Sequence, residues 1–309
     1  MQQATTNGLP GKRSADYVTI VAQACAKVTG FAQLYKDMER SISISGKSDS
    51  LRTNYGRQLA HLALHYNCVP TELDGEQVMD YLHLVKSRGT VSATFFKFTV
   101  YGLRYACKLR GLTYEQFGLP GIDHDDKLPV VLNQEEMRRL IKSCDLLKHR
   151  LLLSLLYGCG LRCSEVRKLG VRDVDLVRGM VHVRCGKGSK DRYLPLGVML
   201  IRGIGLYLEA VRPQQWLFEG NVPGASLSQR GTQWVVSMAV KKAGIAKEVS
   251  THTLRHSYAT HLLEQGVNIL SIKELLGHQS IDTTMVYLHI AQPDNSNVFS
   301  PLDTLYRRP

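Results

Sequence analysis

No CxxC pair occurs among the seven cysteines (Cys25, Cys68, Cys107, Cys144, Cys159, Cys163, Cys185), which are odd in number and scattered along the chain. That pattern excludes a disulfide framework or a zinc ribbon and suits a reducing compartment. Cys159 and Cys163, four apart, read as buried small residues rather than metal ligands. A run of about 18 apolar residues, the minimum for a membrane span, is missing. So is a charged-then-apolar leader, and the expectation is a cytoplasmic protein without membrane partners. Acidic residues are also short: 27 Asp and Glu face 39 Lys and Arg, for a net charge of +12 and a pI near 9.4. The excess points to a polyanionic partner, nucleic acid first. It is +3 over residues 1–127 and +9 over the remainder. No internal repeat or low-complexity tract is present.

A length of 309 residues, 44% of them hydrophobic, is enough for two cores. Residues 1–46 form an N-terminal extension that opens with a polar stretch to residue 14. An apolar helical pattern over 15–41 follows, interrupted at Gly30. A helical domain is expected over 47–120, with helices at Leu51–Tyr66 (capped by Ser48 or Ser50), Gly75–Arg88 and Thr90–Leu109. Two prolines, a glycine and dense charge mark 121–130 as a linker. The second domain spans 131–290 and opens on Asn133 with Glu136, a capping-box start to helices at 134–145 and 147–158. Short β-branched runs at Val171–Val174, Met180–Arg184 and Arg192–Leu196 predict a small antiparallel sheet with a hairpin. Helices are expected after it at 197–212, 228–243, 253–265, 269–276 and 281–290, before a tail at 291–309. The fold class is mainly α with a small antiparallel β-sheet in the C-terminal domain.

Chemistry-bearing residues concentrate in that second domain. In Gly158-Cys-Gly-Leu-Arg162, two glycines permit a sharp turn that delivers an always-protonated, planar guanidinium suited to two phosphate oxygens. Glu165, three residues on, can orient a neighbouring cation. Gly186-Lys187-Gly188 is not a phosphate loop, because Gly188 stands where Ser or Thr is required. At a hairpin tip, however, Lys187 can reach a partner and donate a proton to a leaving oxygen. His252 and Arg255 are three apart and share a helix face. His278 follows Gly277, which suits a left-handed helix cap. Tyr287 lies nine residues beyond, on a helix capped by Ser280 or Asp282. His252 and His278 lack a nearby carboxylate at ligand spacing, so neither metal nor cofactor is expected.

Taken singly, each of these residues has an ordinary structural explanation; the ordered set does not. Residues 162–287 resemble the tyrosine recombinase (phage integrase) family, most closely its Xer-like and integron-integrase-like members. The likeness is densest in His252-Thr-Leu-Arg255-His-Ser-Tyr-Ala-Thr-His261, Glu274-Leu-Leu-Gly-His278 and Thr283-Thr-Met-Val-Tyr287. It extends faintly over 48–120. The interval from Lys187 to His252 leaves no room for the extra helix of integron integrases, and Leu288-His289 replaces a common Thr-His pair.

The resemblance implies a two-domain clamp, a helical SAM-like core-binding domain plus an α/β catalytic domain. It implies a site-specific recombinase acting on double-stranded DNA, without metal or ATP, in the integration or excision of a mobile element. Arg162 and Arg255 would hold the scissile phosphate, Tyr287 would attack it and Lys187 would protonate the leaving 5′-oxygen. His252 would help move the nucleophile's proton, His278 would bond the phosphate, and Glu165 would support. Partners implied are a homotetramer at synapsis, with Val298–Leu305 as an apolar anchor, and a second recombinase or an accessory DNA-bending factor. A type IB topoisomerase and a non-catalytic architectural or excision factor are weaker readings, the first on sequence likeness, the second because a pure binder has no use for Tyr287.

Overall fold

The computed structural model describes residues 19–89, 93–119, 128–184, 191–222 and 224–291. The chain divides into two compact units, residues 1–125 and 126–309.

In the first unit, α1 (Ile20–Lys27) and α2 (Phe31–Ile44) are separate helices, because α1 ends at an extended Val28 and the chain turns at a left-handed Gly30, φ +87°, before α2 begins. Ser48 caps α3 (Asp49–Tyr66), its hydroxyl accepting from the Leu51 N–H. Asp74 and Gln77 form a capping box on α4 (Gly75–Ser87). With α5 (Ala93–Leu109), α1 and α2 pack around α3. Phe31, Leu34 and Met38 of α2 share a core with Leu59 and Leu62 of α3 and Leu103 of α5. Half of the segment set apart in the sequence as an extension is therefore core-forming, because its apolar face is buried.

The second unit begins with α6 (Gln134–Lys142), where Asn133 and Glu136 exchange the expected capping-box bonds at 2.8 and 2.9 Å. The leucine-rich α7 (Leu147–Gly158) runs through the middle of the core, with Leu152, Leu153, Leu155 and Leu156 fully buried. The short α8 (Cys163–Arg167) leads to a three-stranded antiparallel sheet, β1 (Val174–Asp175), β2 (Met180–Val183) and β3 (Arg192–Pro195), in the order β1-β2-β3. Val183 faces Arg192 across the β2–β3 hairpin, and the rings of His182 and Tyr193 stack at 4.5 Å. Four helices follow: α9 (Val198–Val211), α10 (Gln229–Lys242), α11 (Thr251–Glu264) and α12 (Ile269–Leu276). The helix expected over 281–290 is instead one α-turn, α13 (Asp282–Met285), tightened into a 3₁₀ turn over Val286–His289. Its N-cap position is Ile281, with the Ser280 hydroxyl accepting from the Asp282 N–H. Among the described residues no helix is long and apolar enough to cross a membrane.

Candidate active site

The α12 helix ends in a left-handed Gly277, φ +64°. The Gly277 N–H donates to the Glu274 carbonyl and the His278 N–H to the Lys273 carbonyl, a complete Schellman closure. The next three carbonyls have no intrahelical donor, and each receives an arginine. Arg192 Nε donates to Leu275 O (2.9 Å), Arg255 to Leu276 O (2.7 Å) and Arg162 to Gly277 O (3.1 Å). Cations at the negative end of a helix are favourable, and these also satisfy its orphan acceptors.

The same three guanidiniums surround one carboxylate. Glu165 accepts from Arg162 Nη1 at 2.8 Å and from Arg192 at 3.0 and 2.9 Å, while Arg255 lies 4.0 Å away. Its second oxygen also accepts from the Arg162 N–H, which opens α8. Burial alone would push this carboxyl up. The Arg192 and Arg162 hydrogen bonds prevail together and hold it at about 2. Three cations against one anion leave a positively charged, pre-organised cradle.

Arg255 is almost fully buried, and its other nitrogen donates to Gly160 O at 2.7 Å. Burial, reinforced by Arg162, pushes this guanidinium down to about 10, so it stays protonated at neutral pH. Gly160 turns the chain at φ +58°, and a Cβ there would meet the Tyr258 ring at 2.4 Å. Gly160→Ala is therefore expected to cost about 1–3 kcal/mol, read as a lower urea midpoint, and to weaken cleavage by displacing the carbonyl that holds Arg255.

Tyr287 stands on the 3₁₀ turn, its ring packed with Ala259 of α11 and with Ile272 and Leu276 of α12. Burial raises the phenol's pKa, and Arg255 and Arg162 draw it back. Its hydroxyl meets His256 Nδ1 at 3.1 Å. His278 Nδ1 is engaged by the Thr284 hydroxyl at 2.9 Å. Burial, with Arg255 and Arg162, lowers His278 to about 4, leaving a neutral ring at pH 7. His252 is exposed at its edge; desolvation of the rest, then Arg255 and Arg162, lowers its pKa too.

Arg162, Glu165, His252, Arg255, His278 and Tyr287 thus belong to one site, and Lys187 lies outside the described residues. The hairpin stem that leads to Lys187 is anchored beside the site. Arg184 pairs with Asp173 at 2.6 Å, His182 with Asp191 at 3.1 Å, and Arg192 with Glu165. The sequence reading missed two residues of this cluster. Arg192 reads as an alternating strand position, and His256 stands in the quoted motif without a role. A cation starting a strand next to the Lys187 hairpin, and a second imidazole one turn after His252, were the available signals. No group of three or more His, Cys, Asp or Glu among the described residues is arranged to hold a metal ion.

Residues 130–293 match the model of the phage integrase family. The chain is 42% identical over 181 residues to the tyrosine recombinase XerD of Staphylococcus epidermidis, covering 55% of this chain and 61% of that protein. It therefore spans about three fifths of that relative's length. It is 30% identical over 279 residues to the putative integrase/recombinase y4qK of Sinorhizobium fredii, covering 89% and 90% respectively. In fold it resembles the crystal structure of the XerH site-specific recombinase bound to a palindromic difH substrate, with a TM-score of 0.68 at 22% identity over 88% of this chain and 84% of that one.

Proposed function

Since this chain belongs to the phage integrase family, whose match covers more than half of it, we propose that it is a tyrosine-type site-specific recombinase that cuts and rejoins double-stranded DNA. The observation that carries this reading is the buried phenol of Tyr287 held against a cradle in which Arg162 and Arg255 are fixed by Glu165 and by the α12 carbonyls. The two arginines take the non-bridging oxygens of the scissile phosphate and neutralise charge that grows in the pentavalent transition state. They need no reorganisation, since helix carbonyls and a carboxylate already aim them. Tyr287 attacks phosphorus to give a 3′-phosphotyrosyl link and a free 5′-hydroxyl. Lys187 protonates the leaving 5′-oxygen, and His278, oriented through Thr284, donates to the phosphate from its other ring nitrogen. His252 serves proton movement at the rim. Because the phosphotyrosyl bond conserves the energy of the phosphodiester, rejoining needs neither ATP nor a metal. A 5′-hydroxyl from a second duplex completes strand exchange.

The helical unit of residues 47–120 and the catalytic unit of 131–290 both contact the recombination site. Four protomers synapse two sites, with residues 291–309, which lie almost entirely outside the described residues, as the inter-subunit anchor. The substrate is intracellular DNA of a mobile element that integrates or excises, with an accessory bending factor or second recombinase assisting. Most contacts fall on phosphate. DNA affinity therefore drops steeply with salt, with a log–log slope of about −0.9 per phosphate neutralised. Fluorescence anisotropy across a salt series checks this, and a flat response would count against the clamp.

The reading is tested with labelled, nicked duplexes tiled from the DNA flanking the protein's own gene. The expected result is an SDS-resistant adduct that keeps the label 5′ of the break, forms equally in EDTA and leaves a 5′-hydroxyl. Nicking with no adduct, or dependence on a divalent ion, would overturn it.

A further inference from the structure

We propose that His256 is the group that receives the Tyr287 proton as the phenol attacks phosphorus. The assignment rests on the recombinase reading above. Its ground is geometric: of the site's imidazoles, His256 is the one in hydrogen-bond contact with the attacking oxygen, at 3.1 Å through Nδ1. His278 Nδ1 is committed to Thr284. His252 lies one turn back on α11, its ring centroid 6.4 Å from that of His256. The rings of His256 and Tyr287 are 5.7 Å apart at 52°, a tilted approach.

The charge around His256 suits the task. Burial, then His252 and Arg255, lower its pKa to about 4, so the ring is neutral and its Nδ1 lone pair can accept from the phenol. Burial and the Arg255 charge make it a poor base in the empty site, and the proton stays on Tyr287 until a phosphate arrives. A phosphodiester bound to Arg162 and Arg255 offsets the charge that suppresses His256. The phenol becomes acidic as its oxygen turns into an ester oxygen. Transfer is therefore coupled to bond formation, the condition under which a positioned base is most effective.

The step balances. The Tyr287 Oη–H bond breaks and its proton goes to Nδ1. The Oη pair forms the bond to phosphorus, and the P–O5′ pair leaves on the 5′-oxygen, which takes a proton from Lys187. On rejoining, the 5′-hydroxyl returns its proton to the Lys187 amine as its oxygen attacks phosphorus, and the imidazolium returns its proton to the departing phenolate. His252, at the exposed rim of the same helix, is placed to exchange with water.

The experiment compares single-turnover adduct formation on the nicked duplex that reacts with the wild type. His256→Ala is expected to lose about 100-fold in rate. His256→Asn offers Tyr287 an acceptor of similar reach that cannot take a proton, and is expected to be as slow. Incorporating a fluorinated tyrosine, a more acidic phenol, at position 287 should recover about 10-fold of the His256→Ala loss, a gain that a misfolded protein would not show. A wild-type rate in His256→Asn, or no recovery with the fluorinated residue, means that His256 only positions Tyr287 and overturns this assignment alone. Absence of any wild-type adduct overturns the recombinase reading, and the assignment with it.

Discussion

Tyr287→Phe is expected to abolish the covalent protein–DNA adduct and strand exchange while leaving DNA affinity within a factor of about two, since the loss of one hydrogen bond to His256 is a small, local change. Phenylalanine keeps the ring that packs with Ala259, Ile272 and Leu276, so the 3₁₀ turn and the α11–α12 contact survive. What disappears is the only atom that can bond phosphorus from that position. No neighbour substitutes: His256 Nδ1 is engaged by the phenol itself, and Tyr258 is held elsewhere, against Gly160, with its phenol pushed by burial up to about 12. Adduct formation and filter-binding affinity, measured on the same duplex, separate the two effects. Residual adduct from the Phe protein, or affinity lost in parallel, would show that the nucleophile is another residue or that the site had collapsed.

Glu165→Ala is the second large effect, and it acts on stability and activity together. The carboxylate is paired with Arg162 and Arg192 and lies 4.0 Å from Arg255, and the latter two side chains are 10% and 4% exposed. Removing it takes a charged partner from buried guanidiniums, which costs about 3–5 kcal/mol, or a fall of roughly 10 °C in the melting temperature of the C-terminal unit. Adding Arg192→Leu to Glu165→Ala should recover part of that loss, because one of the mutually repelling cations is gone. Cleavage should fall by more than about 100-fold, since Arg162 loses the bonds that set its direction. Calorimetry on the single and double variants checks the first claim, and adduct rates check the second.

The same cluster sets the acid response of the unit. Glu165 is held at about 2 against an ordinary 4.5, so its contribution is complete above about pH 4.5 and is lost as the pH falls toward 2. His256 and His278, at about 4 against 6.5, refuse protons that the unfolded chain accepts. Stability therefore starts to decline below about pH 6.5, and the loss continues through Glu165. A urea midpoint that rose on acidification from pH 7 to 4 would contradict this.

Much of the fold could be read locally. Asn133 with Glu136, Ser48 before α3, Gly30 between α1 and α2 and Gly277 after α12 each act within one helical turn, so the chain signals them where they occur. The hairpin over 180–195 follows from β alternation in the same way. Two elements were harder to read. The buried face of α11 consists largely of Thr251, Thr253, Arg255, Ser257, Thr260 and His261, which shows no apolar stripe. Its stability comes from distant partners: Ser257 accepts from the Leu132 N–H, and His261 meets the Tyr157 hydroxyl. The last helix became a 3₁₀ turn because its length is set by packing Tyr287 against α11 and α12.

By itself the sequence determined the inventory and order of the chemistry: two arginines, a lysine, two histidines, a glutamate and a tyrosine that closes the set, in an order that matches the phage integrase family. Only the tertiary structure decided how those groups are held. The arginines meet the α12 carbonyls across 21, 83 and 115 residues, and His256 rather than His252 touches Tyr287 across 31. Caps, turns and strand alternation are short-range interactions and leave local patterns. A guanidinium that closes the end of a distant helix leaves none, because its partner is a backbone carbonyl, which every residue carries and no side chain specifies.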